Sequence, residues 1–528
     1  MTLDRREFLQ STAAFLAAGP LEMLTQQATP RTAGDWDPGR VRHLLPAVSD
    51  SRMLVKASFS EPLTTPPSLR VGSLVVRGQM NDTAGECWQF YASDLDPARR
   101  YQLALTAADG SSLCEPWDLS TFPSPDARPE RLRVLFFTCA GGVAGQDLTA
   151  GSLPTLVRNR LLRRGLSFGP DAVVANGDHV YWDLHAPRAP SGPYTARWKS
   201  LDRSAPVFGT TNETVLKRAA APQIVPVYGT DFRSTPVFFL QDDHDHFDND
   251  EGTEVMVTFP PPWFHIQLAR ATQQMYYPEF LASSARPANL PWSSSSDRGE
   301  LSESFGTLRY GRLAEVLLYD VRRTMTLAGP SAVFVDPEVE KWLHARTAST
   351  DVTHVIHGPS NPFGWSAGKW GEWYPDVLGA NGMLTAQTPK PYWQAGWLAQ
   401  HDRLVRAIAG RPSGVRLAIS GDLHAVACGQ MQRAGAAALA ATPVTTILSG
   451  PIGTGPGGWP SAFRGTGPRV PAHLDVDESV RPIEQHGFTL LDFSPDRVVV
   501  RMFRWDVKSM PVEAIDRLEP FYTTELGR

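Results

Sequence analysis

Beyond residue 131 the chain is punctuated by short, predominantly apolar runs, each ending in a polar or glycine-rich turn. They are Leu132–Phe137, Ala172–Ala175, Val237–Leu240, Ala314–Tyr319, His354–Ile356, Leu417–Ile419 and Thr446–Leu448. A strand with one wet face alternates apolar and polar residues. A continuous apolar run needs cover on both faces. Helical stretches such as Pro337–Arg346 and Gln400–Ala409 separate these runs. Such a chain folds as α/β with layered sheets. Near the C-terminus, Phe488–Phe493 and Val498–Phe503 read as a β-hairpin around Ser494-Pro495-Asp496-Arg497.

The earlier part reads differently. Between 40 and 122, Val55, Ala57 and Phe59 alternate with Lys56 and Ser58, and Tyr101, Leu103 and Leu105 follow a similar beat. Period two predicts half-buried strands and a small all-β sandwich. Leu95-x-Pro97-x-x-x-Tyr101 resembles the tyrosine corner of fibronectin- and Ig-like sandwiches. Pro123–Arg131 reads as a linker. Cys87 and Cys114 fall in this region and pair if their Cα atoms are close enough and the compartment oxidises. Residues 1–35 read as an address and linker: Arg5-Arg6-Glu7-Phe8-Leu9 looks like a twin-arginine signal, followed by an Ala/Leu-rich stretch. No later segment has the apolar length of a spanning helix. The net charge of -5 argues against a polybasic surface for nucleic acid or membrane. Segments 185–235, 250–305 and 363–398 are rich in Pro, Ser, Gly and Trp and read as lids or binding loops.

Chemistry gathers just past the apolar runs, where open α/β sheets place their sites. After the first comes Thr138-Cys139-Ala140, in which Cys139 is either a thiolate ligand or a small buried apolar residue. After the second comes Gly177-Asp178-His179-Val180-Tyr181. A carboxylate there bridges two hard cations or merely forms the turn. After the third comes Asp242-Asp243-His244-Asp245-His246, dense in groups that resist desolvation. It is a metal-binding turn or a solvated acidic loop. His357 closes the strand of His354–Ile356 as a neutral imidazole ligand or a satisfied structural histidine. Finally Gly421-Asp422-Leu423-His424 alternates Asp and His, so both side chains share one side of an extended segment.

In order, these motifs resemble those of calcineurin-like metallophosphoesterases, and with Cys139, GDxxY at Gly177–Tyr181, DDHD at Asp242–Asp245 and GDLH at Gly421–His424 they look like the PhoD-type alkaline phosphatase branch. The stretches Phe305–Gly311, Leu317–Arg322, Glu340–Leu343, Thr353–Ile356 and His401–Leu404 are similar to that branch between the motifs. The resemblance covers most of 130–505. It departs at Thr138 and Ala140, which flank the cysteine, and at Asp245, which is shorter than the family's Glu. His357 matches the wider superfamily better than the branch.

The resemblance implies an α/β/β/α metallophosphoesterase fold over 131–510, a β-sandwich domain over 40–122 before it and a C-terminal tail over 511–528. It implies hydrolysis of phosphate esters at a centre of two or more metal ions. Cys139, Asp178, Tyr181 and Asp422 would hold Fe(III), since thiolate and phenolate suit it. Asp178 would bridge to a second cation, Ca²⁺, Zn²⁺ or Mn²⁺, bound by Asp243, with His424 joining either centre. His244 would be the general acid, or else orient a ligand. Asp242, His357 and Arg322 are further site residues, Arg322 meeting phosphate or pairing with Asp320. The expected partners are a phosphate ester and the twin-arginine export machinery, with no stable nucleic-acid partner. The expected location is the periplasm, cell envelope or exterior. Two other readings stay open: a phospholipase D- or nuclease-like diesterase, and a non-catalytic secreted binding protein on the same fold.

Overall fold

The computed structural model describes residues 36–148, 151–182, 201–246, 260–283, 286–287, 290–292, 301–326, 329–367, 394–463 and 467–527. The twin-arginine stretch lies outside the described residues. Residues 41–120 form two four-stranded antiparallel sheets. One orders Val41–Val48, Met53–Phe59, Cys87–Ala92 and Gln79–Met80; the other orders Leu74–Arg77, Ser68–Val71, Arg100–Thr106 and Trp117–Ser120. The Tyr101 hydroxyl accepts from the Asp96 backbone N–H at 2.7 Å, tying the strand to the loop before it. Met53–Phe59 is buried along its whole length rather than on alternate residues. The outward Lys56 is covered as well: its ammonium meets Glu279 and Gln89, both at 2.8 Å. Cys87 and Cys114 are buried and unpaired.

The apolar runs build two larger sheets. The first orders Val237–Leu240, Ala172–Asn176, Leu132–Phe137, His486–Phe493, Arg497–Trp505 and Tyr522–Gly527. The second runs Phe305–Tyr310, Ala314–Tyr319, His354–Pro359, Leu417–Ser420, Val444–Ser449, Val426–Ala434 and Ala437–Ala438, with Leu474–Ile483 also pairing Val426–Ala434. Their central strands are parallel and the hairpins flanking them antiparallel. Alternate residues face different cores, as the pleat demands. Val134 and Phe136 pack with Val316 and Leu318 between the sheets. Leu135 and Phe137 pack outward against the helices Thr155–Leu166, Thr211–Tyr228 and Trp263–Tyr276. Leu317 and Tyr319 pack on the other side against Pro337–Thr347 and Ala395–Ala409. The layers are therefore helix, sheet, sheet, helix.

Three expectations change. The stretch after 510 is no loose tail, because Tyr522–Gly527 adds an edge strand beside Arg497–Trp505. Segments 185–235 and 250–305 each contain a long helix, Thr211–Tyr228 and Trp263–Tyr276. The first carries Pro222 and Pro226 inside it, which masks it in sequence because internal proline ordinarily breaks a helix. Among the described residues, no helix is long and apolar enough to cross a membrane.

Candidate metal centre

Each site motif begins where a parallel strand stops, and the chain must turn there with no room to spare. A Cβ on Gly177 would lie 2.6 Å from the Asp242 Cβ. One on Gly421 would lie 2.2 Å from the Thr138 hydroxyl. The residues that follow these tight points are strained. Cys139, Asp178, Asp422 and His424 have φ of 51°, 60°, 67° and 49°. Left-handed backbone costs a side-chain-bearing residue of order 1–3 kcal/mol, and such strain collects at functional sites. Four such residues in one crevice outweigh any single motif as a marker of a site.

These turns bring chemically unlike groups together. The Cys139 Sγ lies 3.2 Å from Asp178 Oδ2. The Tyr181 hydroxyl is 3.1 Å from the same oxygen and 3.1 Å from His424 Nε2. The His424 Nδ1 faces the Gly458 carbonyl at 2.8 Å, which fixes the ring and leaves Nε2 toward the centre. Three sets of ligand atoms each lie within 4.8 Å of one another: Cys139, Asp178 and His424; Asp178, Asp243 and His244; and Asp242, Asp243 and Asp422. Asp178 belongs to two of them, as does Asp243. The His244 ring also packs on Tyr181, centroids 4.2 Å apart.

Other residues hold the turns in place. The buried Asp245 carboxylate accepts from the backbone N–H of Asp178, His179, Val180 and Asp242, at 2.9 to 3.0 Å. Gln223 Oε1 accepts from Gly142 N–H at 2.7 Å and Tyr181 N–H at 2.9 Å, joining two site loops to one helix. The Thr138 hydroxyl donates to the Asn176 carbonyl at 2.6 Å. Sequence reading noted Asp245 only as a shortened Glu and missed Gln223 altogether. Gln223 gives no local signal, since it lies far along the chain in an unrecognised helix.

Most predicted site residues converge, with three rearrangements. The Asp422 side chain falls with Asp242 and Asp243, while only its carbonyl oxygen nears Cys139 Sγ, at 3.9 Å; His424 joins the cysteine instead. Arg322 does not aim its guanidinium at Asp320. It reaches Asp242 at 2.5 Å and Asp422 at 3.1 Å, while its backbone N–H donates to Asp320. His357 is not in the centre. Its Nδ1 meets the Tyr319 hydroxyl at 3.1 Å and its Nε2 the Thr347 hydroxyl at 2.8 Å. It lies where the strand's pleat faces the helices, and burial lowers its pKa to about 3, so it is a neutral structural histidine.

The electrostatics call for cations. Asp178, Asp242, Asp243, Asp245 and Asp422 are all buried. Burial and then Asp178 push the Cys139 thiol well above the usual thiol range. Burial and then Asp178 raise the Asp245 carboxyl too. Burial works against the Arg322 charge, but Asp242 and Asp422 reverse the effect and raise its pKa. One guanidinium cannot balance that many carboxylates in a low-dielectric crevice. A donor set of thiol, phenol, imidazole and carboxylates fits bound metal ions.

No family model matches the chain, and no curated protein matches it. Solved structures do. A structure of PhoD superposes with a TM-score of 0.53 at 12% identity, covering 90% of this chain and 88% of that one. The purple acid phosphatase PPD1 from yellow lupin (Lupinus luteus) seeds gives a TM-score of 0.53 at 12% identity, covering 93% of this chain and 75% of the other. The chain therefore shares the fold of PhoD and of this purple acid phosphatase.

Proposed function

We propose that this chain hydrolyses phosphate esters at a centre of at least two metal ions. The observation that carries the reading is the shared Asp178, whose carboxylate belongs both to the Cys139–His424 set and to the Asp243–His244 set. A bridging carboxylate between two donor sets is what a binuclear centre needs. Cys139, Tyr181 and His424 would hold one ion, and thiolate with phenolate favours Fe(III). Asp243, with Asp242 and Asp422 beside it, would hold the other; oxygen donors favour Ca²⁺ or Mn²⁺. Ions so placed supply Lewis-acid charge and an acidified water for in-line attack at phosphorus.

The protein's own part is positioning and proton transfer. Asp245 and Gln223 hold the two turns that carry Asp178, Tyr181 and Cys139. Arg322 donates to both Asp242 and Asp422 and orients them. His244, half-buried beside Tyr181, gives its ring proton to the leaving alkoxide oxygen; a positioned acid of this kind supplies about 10²–10⁴ in rate. No phosphorylated enzyme residue is needed.

The remaining assignments belong to the same proposal. Residues 40–122 are read as a separate fibronectin- or Ig-like domain, supported by their two sheets and the Tyr101 hydroxyl bond. Export by the twin-arginine route rests on Arg5-Arg6. The test is elemental analysis of protein purified without chelators, with hydrolysis of p-nitrophenyl phosphate and bis-p-nitrophenyl phosphate, for the wild type and Asp178→Asn. The expected wild type carries metal and turns over at least one ester, and the variant loses both. Metal-free wild type that stays inert after metal addition overturns the proposal. Metal without turnover of any phosphate ester favours the binding-protein reading.

A further inference from the structure

Asn361 follows the strand His354–Pro359 and is fully buried, yet neither its Oδ1 nor its Nδ2 has a hydrogen-bond partner among the described residues. A buried carboxamide left so is costly, and native proteins rarely keep one without a ligand for it. Its surroundings say what that ligand is. The Ser360 N–H donates to the Tyr319 carbonyl, and the Ser360 hydroxyl accepts from Val321 N–H, placing the segment beside Arg322. The Pro359 carbonyl accepts from Asn176 Nδ2 at 3.0 Å, placing it beside the Gly177–Asp178 turn. The segments that bear Arg322 and Asp178 thus border one unsatisfied amide.

We propose that Asn361 is a further ligand of the metal centre, giving its side-chain carbonyl oxygen to the cation beside Asp242, Asp243 and Asp422. A neutral oxygen suits a hard cation already surrounded by carboxylates. It adds a donor without adding charge to a crevice that is strongly acidic. The motif reading offered His357 as the ligand from this strand. The ring of His357 meets the Tyr319 and Thr347 hydroxyls instead, whereas Asn361 lies past the end of the strand, where the pleat no longer sets its side. The inference rests on the metal-centre reading above.

The experiment compares the full-length wild type, Asn361→Leu, Asn361→Ala and Asn361→Asp. Each is stripped with chelator and titrated with Mn²⁺, following both calorimetric affinity and the rise in melting temperature. Asn361→Leu is expected to melt at or above the stripped wild type, since it removes the unsatisfied amide. It should lose at least half of the Mn²⁺-induced rise and bind the weaker Mn²⁺ at least tenfold less tightly, as should Asn361→Ala. Asn361→Asp should keep the rise. A wild-type rise and affinity preserved in both Leu and Ala variants overturns the Asn361 assignment alone. Equal losses of melting temperature with and without Mn²⁺ also overturn it, since they mark a packing role. If Asn361→Leu does not fold, the Ala variant decides. A wild type that gains nothing from Mn²⁺, Fe³⁺ or Ca²⁺ overturns the metal centre itself.

Discussion

Asp245 belongs to none of the three ligand sets, yet its replacement by Asn is predicted to be among the most damaging single changes at the site. Its Oδ1 accepts from His179 and Val180, and its Oδ2 from Asp178 and Asp242. Asparagine has the same shape but one acceptor oxygen. Whichever way it is turned, its NH2 confronts two inward-pointing N–H groups. Two charge-assisted bonds are lost and two buried donors are left without acceptors. At about 1.5–3 kcal/mol for each bond to a charged group, the loss is roughly 3–6 kcal/mol. That is a large part of the ~5–15 kcal/mol that holds an ordinary domain together.

The same change should also reach the metal. Asp178 sits at φ 60° because its N–H and the next two are held by one carboxylate. Freed of that hold, the turn relaxes toward ordinary backbone and the Asp178 carboxylate swings away from Cys139 and Asp243. Urea unfolding of stripped protein, followed by tryptophan fluorescence, gives the first number; elemental analysis gives the second. Asp245→Asn is expected to lose about 3 kcal/mol or more, and most of its bound metal. A variant that loses under about 1 kcal/mol and keeps wild-type metal would falsify the view that this carboxylate sets the turn.

Three further outcomes follow from the same geometry. His244→Ala should retain bound metal while turnover falls by about 10²–10⁴; unchanged turnover removes His244 from the proton path. His357→Leu should leave metal content intact but cost about 1–3 kcal/mol for the stranded Tyr319 hydroxyl in urea unfolding, the Thr347 hydroxyl keeping its bond to the Leu343 carbonyl; loss of metal instead would restore His357 as a ligand. Stability should fall as pH drops below about 6.5. Burial holds His43, His265 and His357 at about 3 and His179 and His486 at about 4, so the unfolded chain takes up protons there that the folded chain refuses. Each such histidine steepens the loss by ~1.4 kcal/mol per pH unit until its folded value is reached, and a urea midpoint flat between pH 6.5 and 4.5 would contradict the burial.

How much of this was legible in the sequence depends on whether the cause is local. Strand runs such as Leu132–Phe137 and Ala314–Tyr319 are read directly, since burial on both faces writes a nearly continuous apolar signature, broken in these two only by Arg133 and Glu315. Gly177-Asp178 and Gly421-Asp422 are legible for the same reason: a strand end without room for a Cβ demands glycine. The helix Thr211–Tyr228 is obscured by Pro222 and Pro226, and with it Gln223. The full burial of Met53–Phe59 is invisible because the groups that receive Lys56, Gln89 and Glu279, lie 33 residues away or more. His357 misleads because a histidine at a strand end looks alike whether the pleat turns it to the crevice or to a helix. Only the tertiary partners decide: the strand pairs His357 with Leu317, and the Tyr319 and Thr347 hydroxyls meet its ring.

The strained residues show why the site is assembled from so many segments. Cys139, Asp178, Asp422 and His424 would each relax if their turns stood alone. They do not stand alone, because the Cys139 N–H donates to the Gly177 carbonyl and the Gly141 N–H to the Asp178 carbonyl, so the first two turns lock each other. The Thr138 hydroxyl ties Asn176 to that pair, and a Cβ on Gly421 would strike the same hydroxyl, which keeps the Asp422 turn pressed against it. Strain in any one turn is thus held by the other two. The arrangement sets four donors at fixed spacing before any cation arrives. Binding then needs little reordering of the chain, and affinity should depend on the residues behind the turns as well as on the ligands themselves. Replacing Thr138 by Val, which keeps shape and removes a hydroxyl that also lies 3.1 Å from Cys139 Sγ, should therefore weaken metal binding without replacing a metal donor, read as a rise in the Mn²⁺ dissociation constant of about 10-fold or more. An unchanged constant would mean that each turn holds itself.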